Sequence, residues 1–131
     1  MKRVLLPILT GLILASPALF AEEEAATTTL TGEYWWSQRD ASGELEAVFT
    51  PLGDNRWGVD FHFQFRGEDH TYSGTAEGSL TEGELKGEVQ NENKKRTFVF
   101  SGSFQEGRFK GNHAELRDGG ETKTGMLELA H

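Results

Sequence analysis

The chain has 131 residues, 36% of them hydrophobic and 11% aromatic, enough for one domain around a single core and too little for two. Thirteen Lys and Arg stand against 21 Asp and Glu, a formal net charge of −8, which disfavours nucleic acid and anionic lipid as partners. There is no cysteine, so disulfides and a lipid anchor on a processed cysteine are excluded.

At the N-terminus, Lys2 and Arg3 precede an apolar run over 4–15 that is interrupted by Pro7 and too short to span a bilayer, and small residues follow at Ala18 and Ala21. This is the pattern of a secretory signal peptide over 1–21, cut after Ala21 or alternatively after Ala18, and it implies a periplasmic or extracellular protein. Removing 1–21 takes away two basic residues and no acidic ones, leaving 11 against 21 and a net charge of −10. Residues 22–28 lack β or helical periodicity and read as a flexible leader, so the folded domain is expected over 29–131.

From Leu30 onward no window has apolar helical spacing, while turn signals recur at roughly ten-residue intervals. Eight strands are expected, over 29–38, 44–51, 56–66, 69–80, 84–91, 95–105, 108–117 and 121–129. In the third, Trp57, Val59, Phe61, Phe63 and Phe65 alternate with Gly58, Asp60, His62, Gln64 and Arg66. A turn at Gly67-Glu68 would set Phe65 opposite His70, Phe63 opposite Tyr72, Phe61 opposite Gly74, Val59 opposite Ala76 and Trp57 opposite Gly78. The segment 79–87, SLTEGELKG, recurs at 103–111 as SFQEGRFKG, each copy forming one hairpin tip. With tips at Glu82-Gly83 and Glu106-Gly107, Leu80 faces Leu85, Gly78 faces Gly87, Phe104 faces Phe109, Gly102 faces Gly111 and Phe100 faces His113. A three-residue loop near Asp118-Gly119-Gly120 would bring Leu127 opposite His113 and Leu129 opposite Gly111.

Consecutive hairpins that share one apolar face make an all-β, antiparallel up-and-down meander in a single domain. Eight strands of this length close into a small β-barrel, which removes both unpaired edges; the alternative is an open, twisted sheet folded on itself. A transmembrane barrel would carry its apolar face outward with aromatic girdles, a pattern the short, sparsely apolar strands do not match, so no stable membrane insertion is expected.

The first strand, Leu30-Thr-Gly-Glu-Tyr-Trp-Trp-Ser-Gln38, resembles the opening strand of avidin-like and lipocalin-like (calycin-type) barrels, where a glycine followed closely by an aromatic begins an eight-stranded meander. The resemblance implies that architecture and a small, mostly apolar ligand in the barrel interior or mouth. The polar biotin-binding set of avidins has no counterpart in this chain, and Glu33-Tyr34-Trp35-Trp36 stands where that family has a shorter aromatic pair.

Trp57, Phe61, Phe63, Tyr72, Phe98, Phe100, Phe104 and Phe109 all point inward in this reading, together with Gly74, Gly78, Gly87, Gly102 and Gly111. Either the rings fill the space above the glycines or the glycines hollow out a pocket between aromatic walls. If there is a pocket, Trp57, Tyr72, Phe100 and His113 are its expected ligand-binding residues. The alternation that places Phe109 and Gly111 inside carries His113 and Glu115 with them, unless a bulge turns the histidine outward. Trp35 and Trp36 are adjacent, so one faces out, and the outward ring is a candidate contact for a protein partner or a second copy. The basic run Lys94-Lys95-Arg96 serves either an anionic partner or protection of a strand end. The four histidines lack metal-ligand spacing, no Gly-x-Ser-x-Gly elbow occurs and no carboxylate pair stands out, so neither a metal, a cofactor nor a catalytic residue is assigned. The expectation is a non-enzymatic binding module for a small apolar or aromatic ligand; the alternative is a protein-interaction, inhibitor or envelope-associated domain with a solid core.

Overall fold

A computed structural model describes residues 26–131; the expected signal peptide and most of the leader lie outside them. Eight antiparallel strands follow in order: β1 (Thr28–Trp36), β2 (Ala41–Gly53), β3 (Arg56–Phe65), β4 (Glu68–Gly78), β5 (Gly83–Asn91), β6 (Thr97–Gln105), β7 (Arg108–Arg117) and β8 (Gly120–Ala130). Each pairs with its neighbours in sequence, and β1 also pairs with β8, closing the sheet into a barrel. Strand number and up-and-down topology match a calycin-like barrel at this coarse level. The open-sheet alternative is thereby overturned, and no expected strand end is displaced by more than three residues.

The registers are set by turn chemistry. Four connections are two-residue turns with both residues at positive φ: Asp54-Asn55, Arg66-Gly67, Glu106-Gly107 and Asp118-Gly119. That geometry follows the right-handed twist of the flanking strands and favours glycine or asparagine second. The expected pairing at Glu106-Gly107 is the one observed, with Phe104 opposite Phe109 and Phe100 opposite His113.

The other three expected registers are corrected by two residues each. At β3–β4 the turn is Arg66-Gly67, because glycine belongs second, so Phe63 pairs His70, Phe61 pairs Tyr72, Val59 pairs Gly74 and Trp57 pairs Ala76. At β4–β5 the connection is the four-residue Ser79–Glu82 loop, so Gly78 pairs Leu85 and Ala76 pairs Gly87. The Ser79 hydroxyl accepts from the N–H groups of Thr81 and Glu82, and Leu80 leaves the ladder to become buried. At β7–β8 a two-residue turn is combined with a bulge between His113 and Ala114, so Gly111 pairs Leu127 and His113 pairs Gly125. A two-residue slip keeps each side chain on its own face, which is why the inward set survives while its cross-strand partners change.

The barrel has two unlike ends. At one, Leu30, Phe49, Leu85, Phe104, Phe109 and Leu129 are fully buried and Leu80 is buried beside the Ser79–Glu82 connection. Trp57 Nε1 donates to the Gly78 carbonyl here (2.9 Å), and His131 bonds the Leu80 carbonyl through Nε2 (2.8 Å). The other end, the mouth, carries the connections at 37–40, 66–67, 92–96 and 118–119, the first including a short 3-10 turn, Ser37–Arg39. The inward glycines act as sites of close strand approach: a Cβ on Gly102 would lie 2.1 Å from the Lys110 carbonyl oxygen, and one on Gly74 would lie 1.9 Å from that of Glu88. They let the sheet coil tightly enough to close.

Candidate ligand-binding cavity

Beneath the mouth is a cavity of about 80 Å³ to which all eight strands contribute. Tyr34 and Trp36 come from β1, Leu45 from β2, and Phe61 and Phe63 from β3. Tyr72, Val89 and the Phe98–Phe100 pair supply β4 to β6, and His113 and Leu127 complete the wall. The rings hold one another edge-on: Phe61 meets Phe100 at 5.1 Å between centroids, and Phe98 meets both Tyr72 (5.5 Å) and Trp36 (5.7 Å). Tyr34 donates its hydroxyl to the Gln64 carbonyl (2.8 Å), fixing that ring. Burial raises the Tyr72 phenol above its ordinary value, which keeps it protonated and available as a donor.

Polar groups gather at the rim. Glu115, directly opposite Phe98 in the β6–β7 ladder, is 5% exposed yet ionised. Arg96 Nε and Nη2 donate to its two oxygens at 2.9 Å each, and Arg117 Nε and Nη2 both donate to Oε1. The Arg96 hydrogen bonds hold the Glu115 carboxyl down at about 2, against the opposing effect of burial and with further help from Arg117. The Arg96 guanidinium also stacks over Trp36 (5.0 Å to the ring centroid) and Phe98 (5.3 Å), and Arg39 lies over Trp36 at 5.3 Å. Trp36 itself is 7% exposed, and its Nε1–H is buried with no hydrogen-bond partner among the described residues. Such an orphaned donor costs about 1–3 kcal/mol.

His113 lines the cavity and also ties β7 to two other strands. Nε2 lies 2.9 Å from the Trp35 carbonyl, which only accepts, so Nε2 carries a proton. Nδ1 lies 2.6 Å from Thr124 Oγ1, and that hydroxyl is 3.0 Å from the His113 carbonyl. In the neutral ring Thr124 donates to Nδ1; in the charged ring Nδ1 donates to Thr124, which turns its proton to the His113 carbonyl. Burial lowers the His113 value below the ordinary imidazole range, partly offset by its backbone hydrogen bonds to Trp35 and Met126, so the neutral arrangement is favoured. The adjacent bulge does not expel the ring; it supplies the extra residue, Thr124, that bonds it.

Of the four residues expected to bind a ligand, Tyr72, Phe100 and His113 are brought together on the wall, while Trp57 lies at the opposite end, bonded to Gly78. Of the adjacent tryptophans, Trp36 faces the cavity, and Trp35 is half-buried on the outside, opposite Met126 of β8. Sequence reasoning passed over Tyr34 and the Arg96–Glu115–Arg117 cluster. Parity carried a signal for both: Arg96 shares a face with Phe98, and Tyr34 shares one with Trp36.

No family model matches the chain, and no curated protein matches it as a relative.

Proposed function

We propose that this protein is a secreted or periplasmic, non-enzymatic binding module that holds a small apolar or aromatic ligand in the mouth-end cavity. The observation that carries the reading is the division of the barrel: one half is packed solid, while the other keeps open space walled mainly by rings, with Leu45, Val89 and Leu127 between them. A barrel needing only stability has no reason to leave aromatic surface unfilled, since voids forfeit packing energy. The avidin-like and lipocalin-like character of the first strand supports the same reading, and the signal-peptide pattern over 1–21 supports the location. Direct contacts fall to Tyr72, Phe100 and His113, joined by Tyr34, Trp36 and Phe98.

Toluene tests this. Titrated into the protein and followed by calorimetry or tryptophan fluorescence, it should bind the wild type and fail to bind Val89→Phe, which fills the cavity from a buried wall position. Retained circular dichroism and thermal unfolding in that variant would separate lost space from lost fold. Wild-type protein that ignores toluene, or a variant that binds it equally well, would remove the reading.

Protein interaction is the second reading, favoured by one observation: Met126, 47% exposed, lies beside the half-buried Trp35 on the outer face. If that patch seats a partner or a second copy, Met126→Lys should shift the sedimentation coefficient toward the monomer value while leaving toluene binding intact.

A further inference from the structure

We infer that the ligand of the mouth-end cavity is an anion: a single flat apolar ring carrying a carboxylate or similar acid group that stays at the rim against Arg39, Arg96 and the Trp36 indole N–H. The inference rests on the cavity reading above and adds the charge and size of what enters.

Size comes first. A cavity of about 80 Å³ is smaller than the roughly 150 Å³ apolar cavity that accommodates one benzene, so a ring occupies it only by using the adjoining mouth, and any further group must remain at the rim. The chemistry of that rim therefore selects the head group.

The rim has donors in excess. Glu115 receives two guanidiniums, Arg96 and Arg117, so this cluster keeps one uncompensated positive charge. Those are the only ion pairs among the described residues, which leaves Arg39, stacked on Trp36, with no acid. The Nε1–H of Trp36, the ring that Arg39 and Arg96 both overlie, has no acceptor among the described residues either. Both free cations and the free donor would be matched by one anionic acceptor. Because Nε1 is buried, an acceptor reaches it only as the side chains over the indole shift.

The longer-range field agrees. The four mouth connections contain five Lys or Arg (Arg39, Arg66, Lys94, Lys95, Arg96) and three acids (Asp40, Glu92, Asp118), a net of +2. The three connections at the closed end contain Asp54, Glu82 and Glu106 and no cation, a net of −3. In an acidic protein the cations are thus concentrated around the aromatic opening, which draws an anion to that end.

Three probes sharing one ring decide it: phenylacetate, 2-phenylethanol and 2-phenylethylammonium, titrated at low salt by calorimetry and by the indole N–H resonances of 15N-labelled protein. Phenylacetate should bind at least about tenfold more tightly than the alcohol, as charge-assisted hydrogen bonds imply, and the cation most weakly. The preference should shrink in about 0.5 M salt, and the Trp36 N–H should move downfield with phenylacetate alone. Arg39→Gln, at an exposed loop position, should lower phenylacetate affinity several-fold more than it lowers alcohol affinity. Arg96→Gln, which leaves Glu115 paired with Arg117 and the cluster neutral, should lower it further. Equal binding of all three probes, or preference for the cation, overturns the anion assignment and leaves the cavity reading standing. Binding of none overturns both.

Discussion

Trp36, Glu115 and His113 each present a different answer to burying polarity inside an apolar barrel. Trp36 leaves its N–H unmet, Glu115 takes two arginines, and His113 uses a hydroxyl that serves it in either protonation state. Glu115 has the clearest consequence for stability. Its folded value, about 2, lies below the ordinary 4.5, so its contribution is fully present above pH 4.5 and is lost as pH falls toward 2. That contribution is on the order of 2–3 kcal/mol after allowing for the half-exposed Arg117. Urea unfolding of wild type should therefore show a falling midpoint between pH 4.5 and 2.5, and Glu115→Gln should be less stable at pH 7 and flatter across that window. His113 acts at higher pH. Its value is also depressed, so folding is favoured while the ring is neutral and loses ground as pH drops below about 6.5. His113→Gln should remove that part of the pH dependence, and the His113 imidazole resonance of the folded wild type should titrate below that of the unfolded chain.

At the level of strands and turns, glycines of two kinds carry the architecture. Those in the two-residue turns supply positive φ and face open space, as at Gly67, where no atom comes within 4 Å of a would-be Cβ. Gly67→Asn should therefore cost less than about 1 kcal/mol, since asparagine tolerates that conformation. Gly102 is different, because a Cβ there would collide with the Lys110 backbone. Gly102→Ala should cost about 3 kcal/mol or more, read from denaturant midpoints. Sequence reasoning weighed these inward glycines as possible hollows; they are the places where adjoining strands come too close for any side chain. Leu80 shows the limit of the internal repeat. Its counterpart Phe104 pairs across its hairpin, whereas Leu80 leaves the ladder for a buried site near Trp57, whose indole bonds the preceding Gly78 carbonyl. Leu80→Ala should cost about 2–4 kcal/mol in urea unfolding, although nothing in the repeat itself distinguishes the two copies.

Across the whole barrel, alternation with period two was legible from the chain alone. It determined the number of strands, their all-antiparallel order, the single inward face and the placement of Phe61, Tyr72, Phe100, Phe104 and Phe109 on it. It did not determine how far each strand slides past the next, because a shift of two residues preserves every face and differs only in turn geometry and packing. Those shifts, added around a closed sheet, decide which residues from distant strands share a level of the barrel. They bring Tyr34 and Trp36 beside His113 at the mouth, whereas Trp57 sits at the packed end because it lies at the start of β3. Arg96 reaches Glu115, 19 positions away, through the β6–β7 register that the Glu106-Gly107 turn already indicates. Open space is likewise a property of the closed form: whether rings fill a barrel depends on volumes contributed at one level by all eight strands, a sum that no single hairpin contains.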